Sequence, residues 1–269
     1  MMVPLGGIVV NTTSTANLIQ QFEAACSETP SLVSAELEVA LLINHFINPL
    51  CIRADIERQL ELLWQNLESE AQALADPTEN LLVGFRRQGF CSTIDVPLTK
   101  RHSGLEYVLQ DKVGLPILMA ILLQAAALRM GCDACGLNAP GHFLLRIEDQ
   151  VIDPLGLERL DVQASAHPQT DARAVALRML NNLKSLALQP QGQDISEALA
   201  IIDIQLGLAG APLQAGLYYE RGDIWANLGM PDTARDAFEN CLRVSADDAL
   251  SRAAEAQLEK LKHLHHVVH

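Results

Sequence analysis

The chain has 269 residues, 49% of them hydrophobic and 19% charged, which is enough apolar material for a packed core and excludes a disordered chain. Its 33 acidic residues outnumber 19 basic ones, and a net charge of −14 repels phosphate backbones and anionic lipid, so neither nucleic acid nor a membrane is an expected partner. Aromatics are only 4% while Ala and Leu abound, a balance that favours helices over an all-β sandwich.

The first residues, MMVPLGGIVVNTTS, carry no basic segment and only a short apolar run, so they do not read as a signal peptide. Helical spacing begins at residues 15–28 behind a Ser/Thr cluster and resumes over 31–47, closed by Pro49. Residues 53–75 form an amphipathic helix with Ile56, Leu60, Leu63 and Leu67 on one stripe. A further helix covers 78–90, a loop with Pro97 covers 91–102, and Ser103 is expected to cap a short helix through Leu109. Pro116 opens the next helix, where its fixed φ and missing N–H cost nothing. From Ile117 to Leu128 every face is apolar, so this helix is expected in the core; the run is too short for the ~20 residues of a membrane span. Gly131 stops it, and the period then shifts towards two near 133–138, 142–147 and 150–153. Residues 161–171 (DVQASAHPQTD) are polar and mark the expected domain border. Everything after 172 reads as helix, with LKHLHHVVH as a frayed tail.

One part of that helical half repeats a known spacing. Gly222, Trp225, Gly229, Ala234, Phe238 and Cys241 follow one another at intervals of 3, 4, 5, 4 and 3, the tetratricopeptide alternation of small and large residues. Ala198 and Ile202 sit 36 residues before Ala234 and Phe238, a degenerate copy of a repeat that usually has a period of about 34. Two repeats are fewer than the ~3 that stand alone, so they need support from the rest of the chain.

Candidate chemistry gathers between Gly114 and Pro154. Cys132 and Cys135 form a CxxC, but they follow a helix C-terminus, where the dipole disfavours a thiolate, and no second pair completes a zinc site. Core thiols are the expected reading, with no metal and no cofactor. A tight turn at Glu148-Asp149 would set residue 144 opposite 153 and put His142 and Asp153 on one face, diagonal to each other. A carboxylate there can orient an imidazole base for acyl transfer, although a His and an Asp on a hairpin are also ordinary structural residues. The nucleophile of such a site belongs at the N-terminus of the buried helix, where the chain reads Gly114-Leu115-Pro116-Ile117 and offers no Cys, Ser or Thr.

GLPILMAILLQAAALRMGCDACGLNAPGHFLLR, VIDPLG and RMLNNLK (178–184), with HSGLEYVLQDKVGLPI (102–117) and LLVGFRRQGF (81–90), resemble the bacterial SirB-type transglutaminase-like family, whose members often append tetratricopeptide repeats. The resemblance covers about residues 30–245. It implies a papain-like transglutaminase core, a central helix against an antiparallel sheet. Active enzymes of this kind carry G-x-C-x-x-x-A at the start of that helix. Laid on this chain, Gly114 and Ala120 match, Pro116 takes the place of the Cys, and His142 and Asp153 match the other two triad positions.

The expected fold is therefore α+β and helix-rich: N-terminal helices plus a transglutaminase-like core over 1–165 (core about 78–160), then a tetratricopeptide-like helical domain over 166–269. Three functions compete. The first is a non-catalytic, cytoplasmic protein- or peptide-binding module, regulatory or scaffolding, with Pro116 and Asn138 lining a groove and His142 and Asp153 vestigial. The second is a cysteine-type hydrolase or acyltransferase using a displaced thiol, Cys91, Cys132 or Cys135, with His142 and Asp153. The third uses His142 as a base on water, or as a small-ligand site with Asp153 and Asn138. Nothing in the sequence sets an oligomeric state.

Overall fold

A computed structural model of the chain describes residues 12–27, 34–70, 76–90, 99–190 and 193–267. Four helices come first: α1 (Thr12–Ser27), α2 (Ala35–Ile47), α3 (Arg53–Glu70) and α4 (Pro77–Arg87). A 3-10 turn (Lys100–Ser103) leads into α5 (Leu105–Asp111) and α6 (Pro116–Arg129). The strands are β1 (Ala134–Ala139), β2 (His142–Ile147), β3 (Gln150–Asp153) and β4 (Glu158–Leu160), after which α7 (Ala172–Ala187), α8 (Ile195–Leu208), α9 (Ala211–Asn227), α10 (Pro231–Val244) and α11 (Asp248–Val267) complete the chain. This is the helix-rich α+β architecture expected, with one small antiparallel sheet in the order β1-β2-β3-β4. The loop expected at 91–98, Cys91 within it, and the last residues of the predicted 53–75 helix lie outside the described residues. No single helix among the described residues is long and apolar enough to cross a membrane.

The described residues fall into two compact units. One runs from Gln21 to Asn182; the other joins the residues up to Gln20 with those from Leu183 onward. The border thus falls inside α7, beyond the polar stretch 161–171. That stretch is tied to the open edge of β1: Asn138 N donates to Pro168 O and Thr170 N to Gly136 O at 2.9 Å each, and Leu137 bridges Gln169.

In the Gln21–Asn182 unit, α6 is the centre. Each residue from Ile117 to Ala127 is buried, and the helix packs against β1, β2, α2 and α4. Its end is a Schellman turn: Gly131, at φ 81°, donates to Leu128 O and Cys132 donates to Ala127 O, both at 3.0 Å. Cys132 is the residue such a turn folds back onto the helix, which is why it is buried. At α5 the expectation of a Ser103 cap does not hold. Ser103 ends the preceding 3-10 turn, Gly104 takes the N-cap without a side-chain bond, and the Ser103 hydroxyl is buried without a partner among the described residues.

The hairpin registers are regular. β1 pairs Ala139 with His142 and Leu137 with Leu144; β2 pairs Leu145 with Ile152 and Ile147 with Gln150 across the Glu148-Asp149 turn. β4, which the sequence reading left out, pairs Asp153 with Glu158. It has three residues, too few for an alternating pattern to announce it.

In the other unit α9 and α10 form an antiparallel pair around Phe238, Ala234 and Cys241, with Tyr219 and Trp225 packed on them. Gly222 faces Phe238 so closely that a Cβ would lie 2.7 Å from the ring. Gly229 (φ 71°) turns the chain between the helices, and Met230 N reaches back to Trp225 O at 3.0 Å. The missing side chain of Gly222 therefore leaves the room that the Phe238 ring of α10 occupies. α11 stays helical to Val267, through most of the tail expected to fray.

Candidate functional site

The start of α6 is where the chain would need its nucleophile. Leu115 is the N-cap in extended conformation and Pro116 is the first helical residue, so no hydroxyl or thiol stands there. The amides are mostly consumed too. Leu115 N donates to His102 O and Leu118 N to Leu115 O, both at 2.9 Å, and Pro116 has no N–H. Of these first amides Ile117 alone has no protein acceptor among the described residues. An oxyanion hole needs converging donors, and here the proline and the His102 carbonyl have taken them. Gly114 lets this corner close, because a Cβ on it would lie 2.8 Å from the Val108 side chain.

The second element is the hairpin. Leu145 opposite Ile152 puts residue 144 opposite 153 by continuation of the ladder, so alternation sets His142 and Asp153 on the same face. They are not joined by a hydrogen bond among the described residues. The Asp153 carboxylate instead accepts from Leu155 N at 2.9 Å, a local turn that Asp-Pro sequences favour. The His142 imidazole is exposed and has no hydrogen-bond partner among the described residues. On this face Leu137, Ala139, Leu144 and Val151 form a small apolar cluster that includes no residue of α6.

Asn138 stands opposite Phe143, on the other face from His142. Its Oδ1 accepts from Arg178 Nη1 at 2.7 Å, while the Arg178 guanidinium lies 5.4 Å from the centre of the Phe143 ring. Burial holds the Arg178 pKa below its ordinary value. The sequence reading missed this residue, although it opens the RMLNNLK segment. The last residue of that segment, Lys184, is buried and pairs with Glu220 within the other unit.

Neither Cys132 nor Cys135 stands beside His142. Cys135 lies opposite Arg146 and is four residues along the ladder from the Ala139–His142 pair. At about 3.3 Å per residue that is roughly 13 Å, far beyond proton-transfer reach. Cys132 is further along and buried; burial and then the Glu148 charge push its thiol up, away from the thiolate. Both are free, and no group of three or more His, Cys, Asp or Glu side chains among the described residues could hold a metal.

Residues 52–184 match the family described as the transglutaminase-like superfamily. The UPF0162 protein PA3419 of Pseudomonas aeruginosa is 26% identical over 244 residues, 84% of this chain and 88% of its own length. A UPF0162 protein of Xylella fastidiosa strain Temecula1 is 26% identical over 170 residues, 54% of this chain and 59% of its own. A second, from strain 9a5c, is 25% identical over 185 residues, 60% of this chain and 64% of its own. With the buried helix, the antiparallel sheet and the superfamily match coinciding, residues 52–184 are a transglutaminase-like domain.

Proposed function

We propose that this is a non-catalytic transglutaminase-like protein of the cytoplasm, a regulatory or scaffolding module whose helical C-terminal unit binds a protein or peptide. The observation that carries the reading is Pro116 at the first position of α6. Losing the nucleophile removes acyl-enzyme formation outright, a loss of many orders of magnitude. The engaged Leu115 and Leu118 amides and the unpaired His142 support the same reading. A tetratricopeptide-type pair in α9 and α10 supports the binding role, because such pairs present elongated surfaces to peptides. The likeness to SirB-type proteins agrees with regulation and requires no reaction.

The test has two arms. The purified full chain is assayed for amide hydrolysis and for amine incorporation into glutamine peptides; no turnover above the buffer rate is expected, and His142→Ala should leave that rate unchanged. Robust turnover abolished by His142→Ala would overturn the proposal. In the second arm the chain is used as bait in lysate of its own source, and the partner should be recovered equally by wild type and His142→Ala. Recovery of no protein above background would remove the binding role.

A further inference from the structure

Far along the domain from the His142 hairpin in sequence, α3, α4 and α5 line a half-open cavity of about 180 Å³. Its floor is apolar at the buried Leu63 and Leu109, with the exposed Leu62 at its rim, and it carries the carboxamides of Gln59, Asn66 and Gln88, of which Asn66 Nδ2 donates to Gln88 Oε1 at 3.4 Å. Lys112 completes the lining.

Three features single this lysine out. The first is its charge environment. The chain has 33 acidic residues against 19 basic ones, and Arg53, Arg101 and Arg129 each hold a carboxylate. Lys112 holds none among the described residues; its ammonium lies 4.7 Å from the centre of the Phe90 ring. Burial lowers its pKa and no charged neighbour offsets that effect. The second is its backbone. Lys112 ends α5 in the left-handed region at φ 61°, a position glycine fills more cheaply by roughly 1 kcal/mol. The third is the cavity itself, whose carboxamide N–H groups and apolar walls sit beside this cation.

We propose that this cavity binds a compact organic carboxylate, its charged end on the Lys112 ammonium and its apolar body between Leu62, Leu63 and Leu109. Size permits the assignment: a closed cavity of ~150 Å³ holds benzene, and about 180 Å³ in a half-open one admits the ring of benzoate with one edge left in solvent. A bare phosphate would leave the buried Leu63 and Leu109 facing a hydrated anion, so a ligand with an apolar body fits better. The Gln59 carboxamide, the second N–H of Asn66 Nδ2 and the ammonium offer the carboxylate donors from more than one residue. The site is independent of the reading of Pro116 and His142.

Benzoate is the probe. The isotope-labelled full chain is titrated with benzoate, with benzamide as its neutral counterpart and with inorganic phosphate. The readouts are the side-chain amide resonances of Gln59 and Asn66 and calorimetric affinity. Saturable shifts with benzoate are expected, and binding about tenfold or more weaker with either control. Lys112→Gln should weaken benzoate about ten- to a hundredfold. Lys112→Gly should do the same while holding or raising the thermal midpoint, because its backbone suits φ 61°, and this separates lost binding from lost folding. Absence of a saturable shift would overturn the proposal. So would benzamide or phosphate binding as well as benzoate, or either variant retaining full affinity.

Discussion

Gly222→Ala puts two opposing effects in competition at one atom. In mid-helix, replacing Gly with Ala gains about 0.8–1 kcal/mol of helix propensity. In α9, however, the new methyl would lie 2.7–2.9 Å from three atoms of the Phe238 ring. That ring is fully buried and sits edge-on to Tyr219 at 5.5 Å, so it has little room to retreat. Overpacking of this kind costs about 1–3 kcal/mol. The difference is a net loss of about 1 kcal/mol, which corresponds to roughly 2–4 °C in thermal midpoint. Urea denaturation of the full chain followed by circular dichroism measures it. The decisive control is Phe238→Leu, which removes the outer ring atoms that the methyl meets. In that background Gly222→Ala should become stabilising by up to about 1 kcal/mol, giving a coupling of about 2 kcal/mol between the sites. If Gly222→Ala stabilises the wild-type chain, or its effect is the same in both backgrounds, the close approach of α9 and α10 does not constrain residue 222.

Asp76 caps α4 through the Thr78 and Glu79 amides at 3.0 and 3.2 Å, and Asp76→Ala should cost about 1 kcal/mol in urea denaturation at pH 7. The Arg159 guanidinium, then the Glu79 amide, holds the Asp76 carboxyl below its ordinary value against burial. A depressed carboxyl contributes stability that is present above the ordinary pKa of ~3.9 and lost as pH falls through the lowered one, so the gap between wild type and Asp76→Ala should narrow below about pH 4. Because Asp76 is 41% exposed, the electrostatic part should stay under about 1 kcal/mol and shrink with added salt. Glu220→Gln strands the buried Lys184 ammonium and should cost about 2 kcal/mol, whereas Lys184→Met should cost less; equal losses would refute the desolvation argument. Burial raises the thiols of Cys132 and Cys241, so mass-spectrometric labelling with iodoacetamide at pH 7 should modify both only after denaturant is added.

Much of the transglutaminase-like core was legible in local pattern. A proline before eleven residues that are all apolar but Gln124 specifies a buried helix whatever surrounds it, because no face of that segment favours water. Period two and a tight turn at Glu148-Asp149 placed residue 144 opposite 153, since a hairpin register follows from turn length. That a proline and not a cysteine opens this helix was legible for the same reason, since it concerns one position of one helix. By contrast, the three residues of β4 and the docking of residues 168–170 on β1 depend on partners supplied by other segments.

What the sequence determined by itself was the kind of each element and the face on which each side chain sits, because these follow from backbone period, capping and turn chemistry. The tertiary structure alone decided which groups meet. It turned Asp153 towards Leu155 N, where the resemblance implied a triad with His142. It placed Asn138 beside Arg178, and it set Lys112 at a cavity between helices separated by up to 53 residues of chain, from Gln59 to Lys112. Hydrogen bonds and cavities reach only a few ångströms, and which residues come within that range is fixed by packing across the chain, not by spacing along it.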